Sequence, residues 1–301
     1  MNEWLDEYKK KYEQLFSMYG KIISVVILLF VCVCLSLMIV ELTSPQKLRV
    51  SFLDVGQGDA ILIQTPSGKS MLIDGGAGNS ILERLSKEMS YFDNDIDVMV
   101  ETHPDADHVT GLIPVLEKYS VKKILMSMAI GDTKVFEDLS DHIKNENADV
   151  YVAHAGDVID FHDGVVVNVL YPRVNYIPKK NDTNDASVSV VVTYGDEHFL
   201  LTGDLPSTEE SKLVSSGLMK NITVYKAGHH GSKYSSGEQL LTYIRPEYSV
   251  ISAGKDNTYG HPNPEAIERL QKYSQEVLST IERGTITFMT DGRMIEVETS
   301  K

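Results

Sequence analysis

Cysteine is almost absent from this sequence of 301 residues. Its two thiols belong to Cys32 and Cys34, and both lie inside one apolar run near the amino terminus. The rest of the chain therefore cannot form a disulfide, and its stability has to come from core packing or from bound metal. Hydrophobic residues make up 42% of the sequence, a globular composition that excludes disordered and collagen-like classes.

Basic residues are also scarce, with 28 Lys and Arg against 43 Asp and Glu and a net charge of −15. Residues 1–21 carry four basic and four acidic side chains, and the apolar run carries none. The whole negative charge therefore belongs to the remainder of the chain. Such a surface repels polyanions at long range, which argues against tight, non-specific binding of DNA and leaves local basic patches possible.

Charge, glycine and proline are all missing from Ile22–Val40, which reads IISVVILLFVCVCLSLMIV. In a helix that rises ~1.5 Å per residue, this run spans roughly 28 Å, about the hydrocarbon thickness of a bilayer. A buried core helix rarely runs this long without a polar face. A cleaved signal peptide has a shorter apolar region that ends at a small-residue site. The run therefore predicts an uncleaved transmembrane anchor.

Lysines predict the orientation of this anchor. Lys9, Lys10, Lys11 and Lys21 precede the run, whereas only Lys47 and Arg49 follow it closely. Because basic residues favour the cytoplasmic side, we expect a cytoplasmic segment at 1–21, an anchor at 22–40, a linker at 41–47 and an extracellular domain at 48–301. The protein would then be a single-pass protein of the cell membrane.

Strands and helices alternate densely after the linker, without a fixed repeat or a low-complexity divider. Alternating or continuous apolar segments predict strands at 48–55, 60–65, 70–73, 97–102, 123–128, 150–154, 158–161, 165–170, 187–194, 198–202, 222–226, 248–252, 285–289 and 294–297. Helical spacing predicts helices at 79–89, 109–119, 133–147, 207–216, 238–243 and 264–273. This order indicates one layered α/β domain.

The strongest chemical signal is HPDADH at His103–His108, directly after a predicted strand. Two imidazoles and two carboxylates in a tight loop can converge on the ~2.0–2.2 Å ligand distances that a metal ion needs. A polar turn with Asp105 or Asp107 capping the next helix would explain one carboxylate. It would not explain four liganding side chains together.

Three later motifs also lie at the ends of predicted strands. LTGD ends at Asp204, AGHHGS contains His229, His230 and Ser232, and YGHP contains His261. A carboxylate after a strand is by itself a common turn. Histidines and carboxylates that recur at strand ends favour a shared metal site.

The order of these motifs resembles the metallo-β-lactamase superfamily. More narrowly, FLDVGQGDAILIQTPSGKSMLIDGG, THPDADH, LTGDL, KAGHHGS and YGHP resemble the hydrolase domain of the ComEC/Rec2 competence proteins, over nearly all of 48–301. The resemblance implies a four-layer αββα sandwich preceded by a single transmembrane helix. The membrane channel of those proteins has no counterpart in this chain, so we expect a stand-alone, anchored hydrolase domain.

The resemblance also implies which residues bind metal. His103 and Asp105 match ligands of the superfamily's first metal, and Asp107 and His108 match ligands of its second. Asp204 matches the bridging carboxylate, and either His229 or His230 matches the last ligand of the second metal. The third histidine of the first site has no match, because Asn184-Asp185-Ala186-Ser187 takes its place.

We therefore expect two divalent ions as cofactors. The carboxylate-rich set is harder than a three-histidine site, so manganese competes with zinc. Asp74 would orient a ligand from outside the metal sphere, or would be a turn residue before two glycines. Asp107 would help to hold the nucleophile, and His261 and Ser232 would touch the substrate.

Three hypotheses about function follow. The favoured one is a metal-dependent phosphodiesterase acting on DNA outside the cytoplasm, in contact with a DNA-uptake machinery. The second is a phosphoester hydrolase of a cell-wall polymer, similar to phosphorylcholine esterases. The third is an interaction module that keeps the fold with little catalysis. Measurement of bound metal separates the third from the others, and a panel of substrates separates the first two.

Overall fold

The computed structural model describes residues 2–43, 47–178, 182–214, 217, 219, 221–255 and 257–301. The chain forms two compact units, Met1–Pro45 and Gln46–Lys301. This boundary lies within the linker that the sequence predicted at 41–47.

The first unit is the helix α1, Asn2–Thr43. Its segment Glu7–Ser36 is long and apolar enough to cross a membrane, and none of it is buried within the protein. Phe30, in the middle of the apolar run, is 69% exposed. The helix continues into the first residues of the predicted linker because no proline or glycine stops it before Pro45.

The second unit contains two sheets. The first sheet has the strand order β15-β14-β1-β2-β3-β4-β5-β6, parallel from β3 to β6 and antiparallel elsewhere. Its strands are β1 Leu48–Phe52, β2 Ile61–Gln64, β3 Ser70–Ile73, β4 Asp95–Val100, β5 Ser120–Met126, β6 Asp149–Val152, β14 Ile286–Thr290 and β15 Ile295–Thr299.

The second sheet has the order β13-β12-β11-β10-β9-β8-β7, parallel from β13 to β10 and antiparallel from β10 to β7. Its strands are β7 Val158–Asp160, β8 Val165–Tyr171, β9 Ser189–Tyr194, β10 Glu197–Leu201, β11 Val224–Lys226, β12 Tyr248–Ile251 and β13 Glu276–Ser279.

Helices cover the outer face of each sheet. Those on the first sheet are α2 Ser80–Glu88, α3 Ala106–Val109, α4 Leu112–Lys118 and α5 Lys134–Asn145; those on the second are α6 Ser207–Leu213, α7 Glu238–Ile244, α8 Pro264–Tyr273 and α9 Thr280–Arg283. Alternation along β10 shows the layering, because Phe199 and Leu201 enter the core between the sheets while Leu200 packs under the helices. The predicted four-layer αββα sandwich is confirmed.

One predicted helix is divided in two. The sequence predicted a helix at 109–119, whereas α3 begins earlier, at Ala106, and α4 begins after Gly111. Gly111 lies against Gly75, and a Cβ on either residue would overlap the backbone of the other. The chain therefore breaks the helix where two loops press together, and Gly75 N donates a 2.8 Å hydrogen bond to His108 O.

The sequence did not predict β13 and α9. Of the four residues of β13, Glu-Val-Leu-Ser, only Leu278 is buried. A segment of four residues is too short to show the alternation of apolar and polar residues that predicts a strand. It is a strand because β12 supplies its hydrogen-bonding partner at the edge of the sheet.

Candidate metal centre

Side chains from both sheets meet at the carboxyl-terminal ends of β4, β10 and β11. His103 and His108 follow β4, Asp204 follows β10, and His229 and His230 follow β11. Loops at the carboxyl ends of parallel strands are the usual place for ligand sites in α/β proteins. Motifs that are distant in the sequence are therefore neighbours in the fold.

His108 is fully buried and is oriented by Asp74. Its Nδ1 lies 2.7 Å from Asp74 Oδ2. Asp74 also accepts hydrogen bonds from the backbone amide of Thr102, at 2.9 Å, and from its hydroxyl, at 2.6 Å. The imidazole therefore donates from Nδ1, and its Nε2 faces the site. The sequence left two roles open for Asp74, orienting a ligand or forming a turn before two glycines, and this contact favours the first.

His230 enters the same site from the opposite sheet. Its Nδ1 lies 3.0 Å from Ser252 O, so this ring also donates from Nδ1 and turns Nε2 inward. The Nε2 atoms of His230 and His108 are 3.2 Å apart, and Asp204 Oδ2 is 3.3 Å from both. Asp107 Oδ2 lies 3.3 Å from His230 Nε2.

The backbone of the double histidine is strained. His229 and His230 have φ of 49° and 54°, in the left-handed region that non-glycine residues seldom occupy. Buried hydrogen bonds hold this turn, because Gly228 N donates to Tyr225 Oη at 3.2 Å and to Ser236 Oγ at 3.1 Å. Such strain persists only where the surroundings over-determine the conformation, and it is typical of functional sites.

The geometry fits a metal ion. One ligand atom each from Asp59, His108, Asp204 and His230 lies within 4.8 Å of the other three. With both Nδ1 atoms donating elsewhere, the two Nε2 atoms at 3.2 Å can share one proton or bind one cation, and the neighbouring carboxylate oxygens decide between these states. Among the described residues, Asp204 Oδ1 and Asp59 Oδ1 are buried without a hydrogen-bond partner. A divalent cation held by the two Nε2 atoms and Asp204 would satisfy these ligand atoms, and the Asp59 carboxylate, whose Oδ1 lies 3.4 Å from His230 Nδ1, would add negative charge next to them.

Electrostatics favour a cation here. Burial lowers the pKa of His108, but carboxylates, first of all Asp204, raise it by more, and the result is well above the usual value. The pKa of His230 is raised in the same way. Burial raises the pKa of Asp204, whereas His230 and His108 lower it well below its usual value. The carboxylates thus hold positive charge on the rings, a charge that a bound metal ion would supply in place of the protons.

Asp59 is a member of this group that the sequence analysis missed. It lies in the segment GQGD between the strands predicted at 48–55 and 60–65, yet it is 1% exposed and its Oδ2 lies 2.6 Å from the fully buried ammonium of Lys226. Its Oδ1 lies 3.4 Å from His230 Nδ1. Burial raises the pKa of Asp59, and Lys226 followed by His230 lowers it by more. An apolar strand that ends in a lysine, as β11 does, was the available signal for this ion pair.

A second group of ligands lies beside the first. His103 is fully buried, and its Nε2 lies 3.7 Å from Asp105 Oδ2 and 4.0 Å from Asp204 Oδ2. Its Nδ1 is 3.0 Å from Thr102 Oγ1, and its Nε2 has no hydrogen-bond partner among the described residues. Burial, followed by the charge of His108, lowers the pKa of His103, which keeps its ring neutral and able to bind metal.

The segment that takes the place of the absent third histidine contacts two other residues of the site. Residues Asn184–Ala186 form a 3₁₀ turn, and the Oγ of the following Ser187 accepts a 3.2 Å hydrogen bond from Asp204 N. Asn184 Nδ2 lies 3.5 Å from His229 Nδ1. This segment therefore positions the carboxylate that faces both ligand groups.

The remaining predicted residues lie at the rim or beneath it. His229 is partly exposed, with Nε2 3.5 Å from Asp204 Oδ2, and its ring centroid is 5.1 Å from that of His261. Asp107 is held by Gln57, whose Nε2 donates to Asp107 Oδ2 at 3.2 Å. Ser232 is buried, and its Oγ accepts a 3.3 Å hydrogen bond from the backbone amide of Tyr234 in the same loop. The catalytic roles predicted for Asp107, His261 and Ser232 stay predictions.

Comparison with known proteins agrees with this geometry. The profile of the Metallo-beta-lactamase superfamily matches residues 53–255. ComE operon protein 3 of Bacillus subtilis is 27% identical over 303 residues, covering 95% of this chain and 37% of that protein. Recombination protein 2 of Haemophilus influenzae is 28% identical over 263 residues, covering 85% of this chain and 30% of that protein. The chain thus spans about a third of the length of these curated relatives.

A solved structure with a similar fold is the metallo-beta-lactamase fold protein YhfI from Bacillus subtilis. It superposes with a TM-score of 0.50 at 10% identity, over 77% of this chain and 96% of that chain. At this identity, the likeness concerns the fold alone.

Proposed function

We propose, from the premise that this chain belongs to the metallo-β-lactamase superfamily, that it hydrolyses phosphodiester bonds in DNA. At the coarser level the chain is a metal-dependent hydrolase of that fold, homologous to competence proteins. The observation that carries the proposal is the pair of inward-facing Nε2 atoms of His108 and His230 beside Asp204.

We assign one ion to His108, His230, Asp204 and Asp107. We choose His230 over His229 because His230 is buried and its Nε2 lies 3.3 Å from an oxygen of Asp107 and 3.3 Å from an oxygen of Asp204. We assign a second, more weakly held ion to His103, Asp105 and Asp204, because the first ligand group of the superfamily lacks its third histidine here. Zinc or manganese would suit both sites.

Divalent ions held there would polarise a phosphoryl oxygen and lower the pKa of a bound water molecule. The residues of the chain have complementary tasks. Asp107, held by Gln57, is placed to accept a hydrogen bond from the attacking water. His261 packs against the ring of His229; burial, followed by the charges of His229 and His230, lowers the pKa of His261, so its neutral ring would donate an N–H hydrogen bond to the substrate phosphate or the leaving oxygen. Asp59, paired with Lys226, adds negative charge without exposing it to the substrate phosphate.

DNA is proposed as the substrate because the relatives include Recombination protein 2 and a further protein named as a competence protein, ComA of Neisseria gonorrhoeae. The helix α1 would anchor the domain to the membrane, and the lysines before the apolar run would keep the amino terminus in the cytoplasm. The domain would then act on DNA outside the cytoplasm, beside a DNA-uptake machinery.

A substrate panel tests this proposal. Single-stranded DNA, duplex DNA, a small chromogenic diester and a phosphorylcholine ester are each incubated with zinc or manganese, and Asp204→Asn serves as the inactive control. We expect cleavage of DNA that rises steeply with added manganese and is faster for the single strand. Turnover of the choline ester without turnover of DNA would overturn the nuclease proposal in favour of a wall-polymer hydrolase. No turnover of any substrate by metal-loaded protein would refute both.

A further inference from the structure

A row of three rings leads from the metal centre to solvent. His229 lies beside Asp204, and the His261 ring packs against it edge-on at 5.1 Å and 82°. Tyr259 in turn stacks on His261, with ring centroids 6.1 Å apart and an interplanar angle of 21°. Tyr259 is 61% exposed. The outermost ring is therefore backed by an aromatic neighbour on one side and open to solvent on the other.

The loop that carries Tyr259 is tied down by Asn257. The Oδ1 of Asn257 accepts hydrogen bonds from the amides of Tyr259 and His261, both at 3.1 Å. Its Nδ2 donates to Gly254 O at 2.7 Å and to His261 O at 2.5 Å. These bonds fix the backbone of the loop at Tyr259, which lowers the entropy lost when a flat ligand binds to its side chain.

A second exposed ring lies on the loop that follows the double histidine. Tyr234 is 67% exposed, and the ammonium of Lys233 lies 5.3 Å from its ring centroid. Asn263 joins the two loops, because its Oδ1 accepts a 2.9 Å hydrogen bond from Lys233 N and its Nδ2 donates to Gly260 O at 3.0 Å. In a protein with a net charge of −15, the two joined loops that carry His229, His230 and His261 therefore also expose two phenol rings and an ammonium.

We propose that Tyr259, backed by His261, stacks a nucleobase of single-stranded DNA next to the phosphate at the metal centre, with Tyr234 and Lys233 taking a neighbouring nucleotide. This inference rests on the proposed function and identifies how the substrate is held. Stacking on aromatic side chains is the usual way to bind single strands without regard to sequence. In a duplex the base faces are already covered by neighbouring base pairs, so the platform favours a single strand.

A nucleobase suits these rings better than a quaternary ammonium group. Choline is bound by several ring faces that surround the cation. Here one face of Tyr259 is turned to His261, and the cation position over Tyr234 is occupied by Lys233. Tyr259 therefore has one flat face free, and its other face already belongs to a parallel stack with His261. A planar nucleobase can lie on the free face and continue that stack.

A fluorescent reporter tests the contact directly. Trp4 is the sole tryptophan of the chain, so Trp4→Phe combined with Tyr259→Trp puts a single indole on the platform. The matched control is Trp4→Phe with Tyr91→Trp. Tyr91 is 92% exposed and precedes the amino-terminal end of β4, whereas His103 and the metal centre follow its carboxyl-terminal end. Each protein is titrated with a thymidine oligonucleotide and with an abasic strand of equal length. Ca²⁺ replaces the catalytic ion, and the strand is checked for cleavage afterwards.

We expect the thymidine strand to quench the indole at 259 and the abasic strand to leave it bright, while the indole at 91 responds to neither. In a parallel binding assay by fluorescence anisotropy, Tyr259→Ala should weaken binding of the thymidine strand roughly tenfold and binding of the abasic strand hardly at all. Tyr259→Phe, which keeps the ring, should bind like the unsubstituted chain. Metal binding should be equal in all of these proteins.

Two results would overturn the inference while leaving the nuclease proposal intact. One is cleavage of single-stranded DNA with no quenching at 259, and the other is an equal loss of thymidine and abasic binding in Tyr259→Ala. Loss of phosphorylcholine binding alone in Tyr259→Ala would assign the rings to a quaternary ammonium group instead. If the unsubstituted, metal-loaded chain neither binds nor cleaves DNA, the proposed function and this inference both fail.

Discussion

Replacement of Asp74 by asparagine should weaken metal binding without unfolding the protein. Asparagine has nearly the same shape and tolerates the left-handed backbone of this position, where φ is 57°. Its amide oxygen can still accept from Thr102, but its NH₂ group would then face the N–H of His108 Nδ1, which lies 2.7 Å from the carboxylate oxygen. Two donors cannot share that contact.

The simplest relief is a change of tautomer at His108. The proton would move to Nε2, the atom that lies 3.3 Å from Asp204 and 3.2 Å from His230, and that nitrogen could no longer bind an ion. Loss of a ligand-orienting partner of this type typically lowers metal affinity ten- to a hundredfold. That range corresponds to about 1.4–2.8 kcal/mol.

The assay is competition for Zn²⁺ or Mn²⁺ against a chromogenic chelator, with urea unfolding of the metal-free protein measured in parallel. Thr102→Val is the control for the tighter ion, because it removes one hydroxyl hydrogen bond from Asp74 and leaves the carboxylate on His108; the same hydroxyl contacts His103 Nδ1, so the comparison is made on the tighter ion alone. We expect its metal affinity to fall much less than that of Asp74→Asn. Equal affinity of Asp74→Asn and the unsubstituted protein would refute the argument that Asp74 sets the tautomer.

Three further predictions concern the second ligand loop, pH and the anchor. His230→Ala should abolish binding of the tighter ion, whereas His229→Ala should retain it, and calorimetry that finds the reverse would make His229 the ligand. Burial raises the pKa of Glu210 to about 7 from 4.5; the folded state therefore holds its proton more tightly, and the free energy of unfolding should fall as pH rises from about 4.5 through 7. Burial also raises the pKa of Glu101, to about 8, which adds a slope of the same sign; Glu210→Gln should therefore reduce the slope in urea titrations without removing it, and an unchanged slope would contradict the assignment to Glu210. A fragment that starts at Lys47 should be soluble with native circular dichroism, and protease added to intact cells should digest the domain while sparing an amino-terminal tag; protection of the domain would reverse the orientation.

Local patterns in the sequence were sufficient for much of the fold. The charge-free run Ile22–Val40 predicts a helix because length and hydropathy are properties of a contiguous segment. Short apolar stretches bounded by glycine and proline predict most strands of both sheets for the same reason. The metal motif His103–His108 was recognisable because its ligands are neighbours in the chain.

Only the tertiary structure decided which side chains face each other. Asp59 belongs to the ligand group because the loop before β2 meets the end of β11, where Lys226 is buried, and no local pattern encodes that meeting. The geometric difference between His229 and His230 depends on a left-handed turn held by Tyr225 and Ser236. A sequence specifies the residue types that can bind metal, but the direction of each side chain depends on backbone torsions and packing that distant segments impose.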